Sequence, residues 1–176
     1  MVMSTVVVDS HRDDQETAWW FLDTLVVEHP CAPSMGTVVL EMTLPVGSTP
    51  PLHVHANLDD SWYILEGEMV VRCGGDERIV NAGHWVSMPR GVPHTFRVIG
   101  DCNARILMVH DNASFRDLVR ELGVPATTRI PPEDPVFPLM PDLVRLAAAH
   151  DLTPIGPPMS QEDADSIVAA VCSSSG

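Results

Sequence analysis

Gly47-Ser-Thr-Pro-Pro-Leu-His53-Val-His55-Ala-Asn-Leu-Asp59-Asp60-Ser-Trp-Tyr-Ile-Leu-Glu66-Gly67 is the stretch from which the rest of the chain can be read. Two histidines one residue apart on an extended segment project to the same side, because strand side chains alternate with a period of two. Val54 then faces away. After a turn over residues 56–59 the apolar alternation resumes at Trp62, which returns the Asp60 carboxylate to the face that holds the imidazoles. Asp59 competes for that place, but strand parity and the interval to Gly67 favour Asp60. Two neutral ring nitrogens and a carboxylate suit divalent iron, nickel, copper, manganese or zinc. A further ligand is required.

Outward from this stretch, residues 35–110 are a series of short apolar segments punctuated by Gly, Pro, Asn and Asp: 35–44, 50–56, 61–66, 68–73, 77–81, 84–88, 93–99 and 104–110. Such spacing predicts short strands in a closed β architecture. Helix periodicity never interrupts it, and a parallel α/β sheet would need crossover helices. Leu65-Glu66-Gly67-Glu68 and Cys73-Gly74-Gly75-Asp76 read as tight hairpins, since glycine supplies the positive φ that such turns demand. Pro89-Arg90-Gly91 reads as a further turn. The missing ligand is found in Gly83-His-Trp-Val-Ser-Met-Pro89-Arg-Gly91-Val-Pro-His94, where Pro93 fixes the start of the strand that carries His94. Antiparallel strands can bring His94 to the same barrel mouth as His53 and His55.

Taken together, these motifs resemble those of the cupins. Gly47-x5-His53-x-His55-x4-Asp60-x6-Gly67 is similar to the first cupin motif, and Gly83-x5-Pro89-x-Gly91-x2-His94 to the second. The resemblance implies a double-stranded β-helix, that is, an all-β jelly-roll barrel, with His53, His55, Asp60 and His94 at the ligand positions around one divalent transition metal. The family normally has glutamate at Asp60 and asparagine at Val98. Aspartate is shorter by one C–C bond, about 1.5 Å, whereas metal–oxygen bonds tolerate only a few tenths of an ångström around roughly 2.1 Å. Three outcomes stay open: the backbone shifts inward, Asp60 acts through water, or three histidines hold the metal.

Residues in phase with these ligands are apolar. Met42, Trp62, Ile64, Phe96 and Met108 are the expected lining of a substrate pocket, which suits a flat organic ligand better than a sugar. No arginine is in position to clamp a carboxylate or phosphate there. His84 is expected to face outward. His110 is ambiguous between an inward position and the end of a strand, and His11, His29 and His150 are expected at the surface.

On the N-terminal side, residues 1–34 read as an arm with a short strand at Thr5 to Val8, followed by extended structure from Thr17 to Glu28. Trp19 and Trp20 offer a surface for a homodimer. Residues 35–112 are the expected barrel. Residues 113–176 are expected to be a helical extension of the same domain, with C-terminal α-helices packed outside. The first helix has Ser114 as its N-cap and ends at Gly123; the second begins near Pro141; the third is capped by Ser160 and presents Ala164, Ile167, Val168 and Val171 on one face. The proline-rich stretch 124–141 between the first two is expected to lack regular structure.

Composition narrows the function classes. Ten basic residues against twenty-four acidic ones give a formal charge of −14, which argues against nucleic acid and anionic membrane surfaces as partners. All ten are arginine; without lysine, Schiff-base chemistry is excluded. Four separated cysteines form no CxxC pair and read as reduced thiols. Nothing reads as a signal peptide or a transmembrane segment, so a cytoplasmic location is expected. Through its helical tail the chain looks most like the quercetin 2,3-dioxygenase group of small cupins. That resemblance implies a metal-dependent dioxygenase acting on an enolic or phenolic, flavonol- or polyketide-like molecule, with Asp60 as the general base. The alternatives are a redox-neutral isomerase or cyclase and a non-catalytic cupin that binds a small molecule.

Overall fold

The architecture of this protein was analysed in a computed structural model, which describes residues 17–31, 36–130 and 139–174. The expected strand at Thr5 to Val8 and much of the proline-rich stretch lie outside these residues. The chain runs β1 (Thr17–Phe21), β2 (Thr24–His29), β3 (Val38–Leu44), β4 (Pro51–His55), β5 (Asp60–Glu66), β6 (Glu68–Cys73), β7 (Asp76–Asn81), β8 (Trp85–Met88), β9 (His94–Ile99) and β10 (Ala104–His110). Then follow α1 (Ser114–Leu122), β11 (Val124–Pro125), α2 (Met140–Ala149), β12 (Leu152–Pro158) and α3 (Gln161–Ser174). Two antiparallel sheets result, in the orders β11-β1-β2-β3-β10-β5-β8 and β12-β4-β9-β6-β7. They face each other as a jelly-roll sandwich, as the apolar periodicity predicts.

The alternation visible in the sequence is the inside–outside pattern of these sheets. On β3, Val38, Leu40, Met42 and Leu44 are buried and their neighbours are not; on β10, Ala104, Ile106, Met108 and His110 follow the same rule. Strand β6 departs from it, with Met69, Val70 and Val71 buried in succession. The cause lies outside the sandwich, where α3 places Ala164 and Ile167 over Val70 together with Met159. A strand covered on both faces loses its polar positions. Each fully buried aliphatic side chain here contributes roughly 1.5–3 kcal/mol relative to its exposed state.

The turns divide into two kinds. Cys73 to Asp76 is the expected hairpin, joining β6 and β7 within one sheet. Leu65 to Glu68 is not a hairpin: β5 and β6 belong to different sheets, and the turn is a corner where the chain changes layer. Gly67 has φ +81°, and a Cβ there would stand 2.7 Å from both the Ala104 Cα and the Asn103 carbonyl oxygen. The 89–91 turn is likewise a corner, from β8 in one sheet to β9 in the other. Both glycines were legible, but glycine marks a positive φ and not the partner of the next strand.

Helix α1 starts one residue earlier than its cap predicts. Ala113 is the N-cap, and the Ser114 N–H donates to the Asn112 side chain at 2.9 Å. Ser160 does cap α3: its hydroxyl accepts from the Asp163 N–H at 3.0 Å while the Asp163 carboxylate accepts from the Ser160 N–H at 3.2 Å, a reciprocal capping box. The proline-rich stretch is not wholly irregular, since Val124–Pro125 pairs with β1. Strand β12 was not expected at all. It carries Pro154, Pro157 and Pro158, and it lies at the edge of its sheet against β4, where a missing N–H is tolerated.

Candidate metal centre

Strand β4 places His53 and His55 on its inner face, with ring centroids 5.1 Å apart. Strand β9 pairs with β4 in a register that sets His94 directly opposite His53, at 4.4 Å between ring centroids. All three rings are buried. Each turns its Nδ1 to a backbone carbonyl: His53 donates to Pro51 at 2.8 Å, His55 to Asp151 at 3.1 Å and His94 to Val92 at 2.9 Å. A carbonyl can only accept, so Nδ1 carries a proton, and the neutral ring then presents its lone pair at Nε2.

One ligand atom from each of the three lies within 4.8 Å of the others. His94 Nε2 is buried and has no hydrogen-bond partner among the described residues. A buried ring nitrogen that has lost water and gained no donor is costly unless a cation takes its lone pair. The cluster is therefore compatible with a single transition-metal ion, for which neutral imidazole is a suitable ligand. Its protonation fits too. Burial first, and then the neighbouring His94, push His53 down to about 4, and burial lowers His55 as well.

Asp60 stands beside this set and not within it. It is the first residue of β5, paired across β10 with His110 and across β8 with Met88. Its Oδ1 accepts from His110 Nε2 at 2.8 Å and from Trp62 Nε1 at 2.5 Å, while Oδ2 lies 3.9 Å from His94 Nε2. Burial alone would raise this carboxyl, but His110 and then His55 and His94 outweigh it and hold Asp60 below the ordinary carboxylate range. Asp60 is thus ionised at neutral pH. Its neighbour Asp59 is half-buried and held by Arg90, whose Nε and Nη2 donate to the carboxylate at 3.0 and 2.7 Å. Those bonds carry Asp59 down to about 2.

A cavity of about 210 Å³ opens on His53 and Asp60. Met42, Trp62, Phe96 and Met108 line it, and the rings of Trp62 and Phe96 meet edge to face at 5.0 Å. Ile64 does not line it. It is fully buried further along β5, where it pairs with Ile106, one of the lining residues. The turn of the β1–β2 hairpin, with Leu22 and Asp23, closes another side, a contribution from the N-terminal arm that the sequence did not announce.

Of the remaining histidines, His84 is exposed as expected, while His29 and His150 are partly exposed and bonded to Glu41 and Glu121. His11 lies outside the described residues. His110 turns inward and is buried, which the alternation of Ala104, Ile106 and Met108 permits. Asp151 was missed entirely. Its carbonyl orients His55, and its carboxylate accepts from the N–H groups of Ala56 at 3.1 Å and Asn57 at 2.8 Å. The four cysteines are free, and no helix among the described residues is long and apolar enough to cross a membrane.

Comparison with known proteins agrees with this geometry. Residues 40–110 match the cupin domain family. An uncharacterised protein of Methanocaldococcus jannaschii is 33% identical over 67 residues, 38% of this chain and 54% of that one, so the chain spans about half the length of this curated relative. Among solved structures, CapF with the inhibitor 3-isopropenyl-tropolone is similar at a TM-score of 0.50 and 19% identity, over 56% of this chain and 30% of that one. That is a likeness of fold. A predicted oxalate decarboxylase from Thermotoga maritima aligns at 26% identity and a TM-score of 0.46, over 49% of this chain and 78% of the other. Two facing antiparallel sheets, a buried three-histidine cluster and the match over 40–110 lead to one conclusion: this chain has the cupin fold, and residues 40–110 match the cupin domain family.

Proposed function

We propose that this protein is a metal-dependent dioxygenase acting on a small enolic or phenolic molecule, with the metal held by His53, His55 and His94. The observation that carries this reading is the placement of one ionised, buried carboxylate, Asp60, on the wall of an apolar cavity beside three converging imidazoles. A redox-active divalent metal held there supplies Lewis acidity toward an enol or phenol oxygen and electron transfer toward dioxygen.

The protein's own groups do the rest. Asp60 accepts the proton of the substrate hydroxyl, because it is ionised and lines the cavity. Trp62 and Phe96 present aromatic faces and edges to a flat ring, and the apolar wall excludes water from the resulting anion. Both atoms of dioxygen enter the product and the substrate supplies the electrons, so no external reductant is needed.

The lining also limits the substrate. Among the described residues it contains no arginine, and the chain has no lysine, so a dicarboxylate would meet no fixed cation from these residues besides the metal. At about 210 Å³ the cavity is smaller than the roughly 300–1,000 Å³ of drug-sized ligand pockets. A single-ring enol or phenol fits that space better than a three-ring flavonol. The hydrogen-bonded pair Asp60 and His110 favours a second reading, proton transfer without oxidation by an isomerase or cyclase.

Dioxygen uptake separates the two. Metal-replete protein mixed with single-ring enols and phenols is expected to consume dioxygen and yield a product heavier by two oxygen atoms. Conversion at unchanged mass would establish the redox-neutral reaction instead, and binding without conversion would leave a ligand-binding cupin.

A further inference from the structure

The three cluster histidines and His110 are wired in opposite senses. His53, His55 and His94 spend Nδ1–H on carbonyl oxygens and turn Nε2 inward. His110 spends Nε2–H on the Asp60 carboxylate, and its Nδ1 is buried without a partner among the described residues. His110 is therefore oriented by Asp60 and by the Phe115 ring, which meets it edge to face at 5.7 Å and is itself braced by Phe21 at 5.8 Å. The β5–β10 register puts His110 and Asp60 directly opposite each other, so this bond is built into the sheet.

Trp62 completes the arrangement. Its indole N–H, which can only donate, goes to the same oxygen, Oδ1. A carboxylate that receives two donors on one oxygen cannot rotate without abandoning both. Its other oxygen, Oδ2, faces His94 Nε2 at 3.9 Å, one short movement from the cluster.

Building on the metal-site reading above, we propose that His110 and Trp62 are positioning residues that clamp Asp60 out of the metal's ligand set, leaving a three-histidine site with a free carboxylate beside it. A direct carboxylate ligand would be neutralised by the metal and lost as a proton acceptor. The clamp keeps the two roles on separate groups. It also accounts for an aspartate in this position, since the short side chain can be tethered to β10 and still lie at the cavity wall.

Cobalt(II) loaded into the full chain tests this without turnover, because its visible d–d bands report the donor set. Asp60→Asn is expected to leave the bands of the native protein unchanged, with a modest loss of cobalt affinity from the lost negative charge. His110→Phe, alone and combined with Trp62→Phe, is expected to shift the bands and raise cobalt affinity about tenfold as Asp60 joins the metal. Adding Asp60→Asn to either variant should restore the native spectrum, and His110→Gln, which keeps a donor, should resemble the native protein. Altered bands in Asp60→Asn alone would show that the carboxylate is already a ligand and overturn the proposal. So would native bands and affinity in the combined His110→Phe and Trp62→Phe variant. Should the phenylalanine variants not fold, the Asp60→Asn comparison still decides. Failure to bind cobalt at all would overturn the metal reading and the clamp together, whereas cobalt binding without dioxygen uptake would refute the oxygenase reading alone.

Discussion

Asp60 and Asp59 are adjacent and chemically identical, yet one is buried among histidines and the other is half-buried and paired with Arg90. Strand parity told them apart, because a period of two leaves no freedom once Trp62 is inside. Parity likewise placed His53, His55 and His94. The groups that orient these rings were not legible, since Pro51, Val92 and Asp151 act through backbone carbonyls that every residue possesses. Asp151 is also distant in sequence, and nothing in its own neighbourhood points to β4. At this scale the account predicts that Asp60→Glu increases metal affinity and lowers turnover. The longer side chain reaches past the His110 and Trp62 donors into the ligand set and is lost as a base. Metal titration and steady-state rates measured on the same preparation check this; lower affinity would contradict it.

The element scale shows where turn chemistry stops being informative. Gly67 and Gly91 both have positive φ, +81° and +76°, and both end a strand at a change of sheet. Only Gly67 packs against another segment, at Ala104 and Asn103, whereas nothing stands within 4 Å of a Cβ built at Gly91. Gly91→Ala is expected to cost about 1–2 kcal/mol, the strain of a left-handed alanine. Gly67→Ala should cost at least about 1 kcal/mol more, because backbone must move to admit the methyl group. Urea unfolding of the two variants decides, and equal losses would mean that the corner is not tightly packed. The hairpin expectation failed at Gly67 because hairpins and sheet-to-sheet corners use the same residue. Strand β12 was hidden by a different rule, for three prolines argue against a strand unless it lies at an edge, and edge position is a property of the whole sheet.

At the scale of the whole molecule, the jelly roll was legible because eight apolar segments with turn punctuation admit few architectures, whereas the cavity was legible only in part. Its walls come from in-phase residues of several strands, but the β1–β2 turn that closes it is contributed by a segment whose sequence carries no ligand signal. The expected tryptophan pair is divided by the fold: Trp19 is buried, with Arg120 over its ring at 5.6 Å, and only Trp20 remains partly exposed. The buried histidines make stability depend on pH. His53 titrates at about 4 in the folded protein against 6.5 ordinarily, so between these values the unfolded chain holds more protons. Stability of the metal-free protein therefore rises with pH from about 4 to about 6.5 and is lost on acidification. His53 accounts for about 3 kcal/mol of that change. The lowered Asp60 carboxyl acts in the same direction, losing its contribution as pH falls through its folded value. Urea unfolding of the metal-free protein at pH 7 and pH 4.5, compared with His53→Gln, tests this, and the variant should show the shallower dependence. The central claim, that the three histidines form a metal centre, is tested most directly by elemental analysis of protein produced in a metal-replete medium. The account predicts about one transition-metal ion per chain, lost in His94→Ala. Native protein that stays empty after metal supplementation, or a His94→Ala variant that retains its metal, would contradict it.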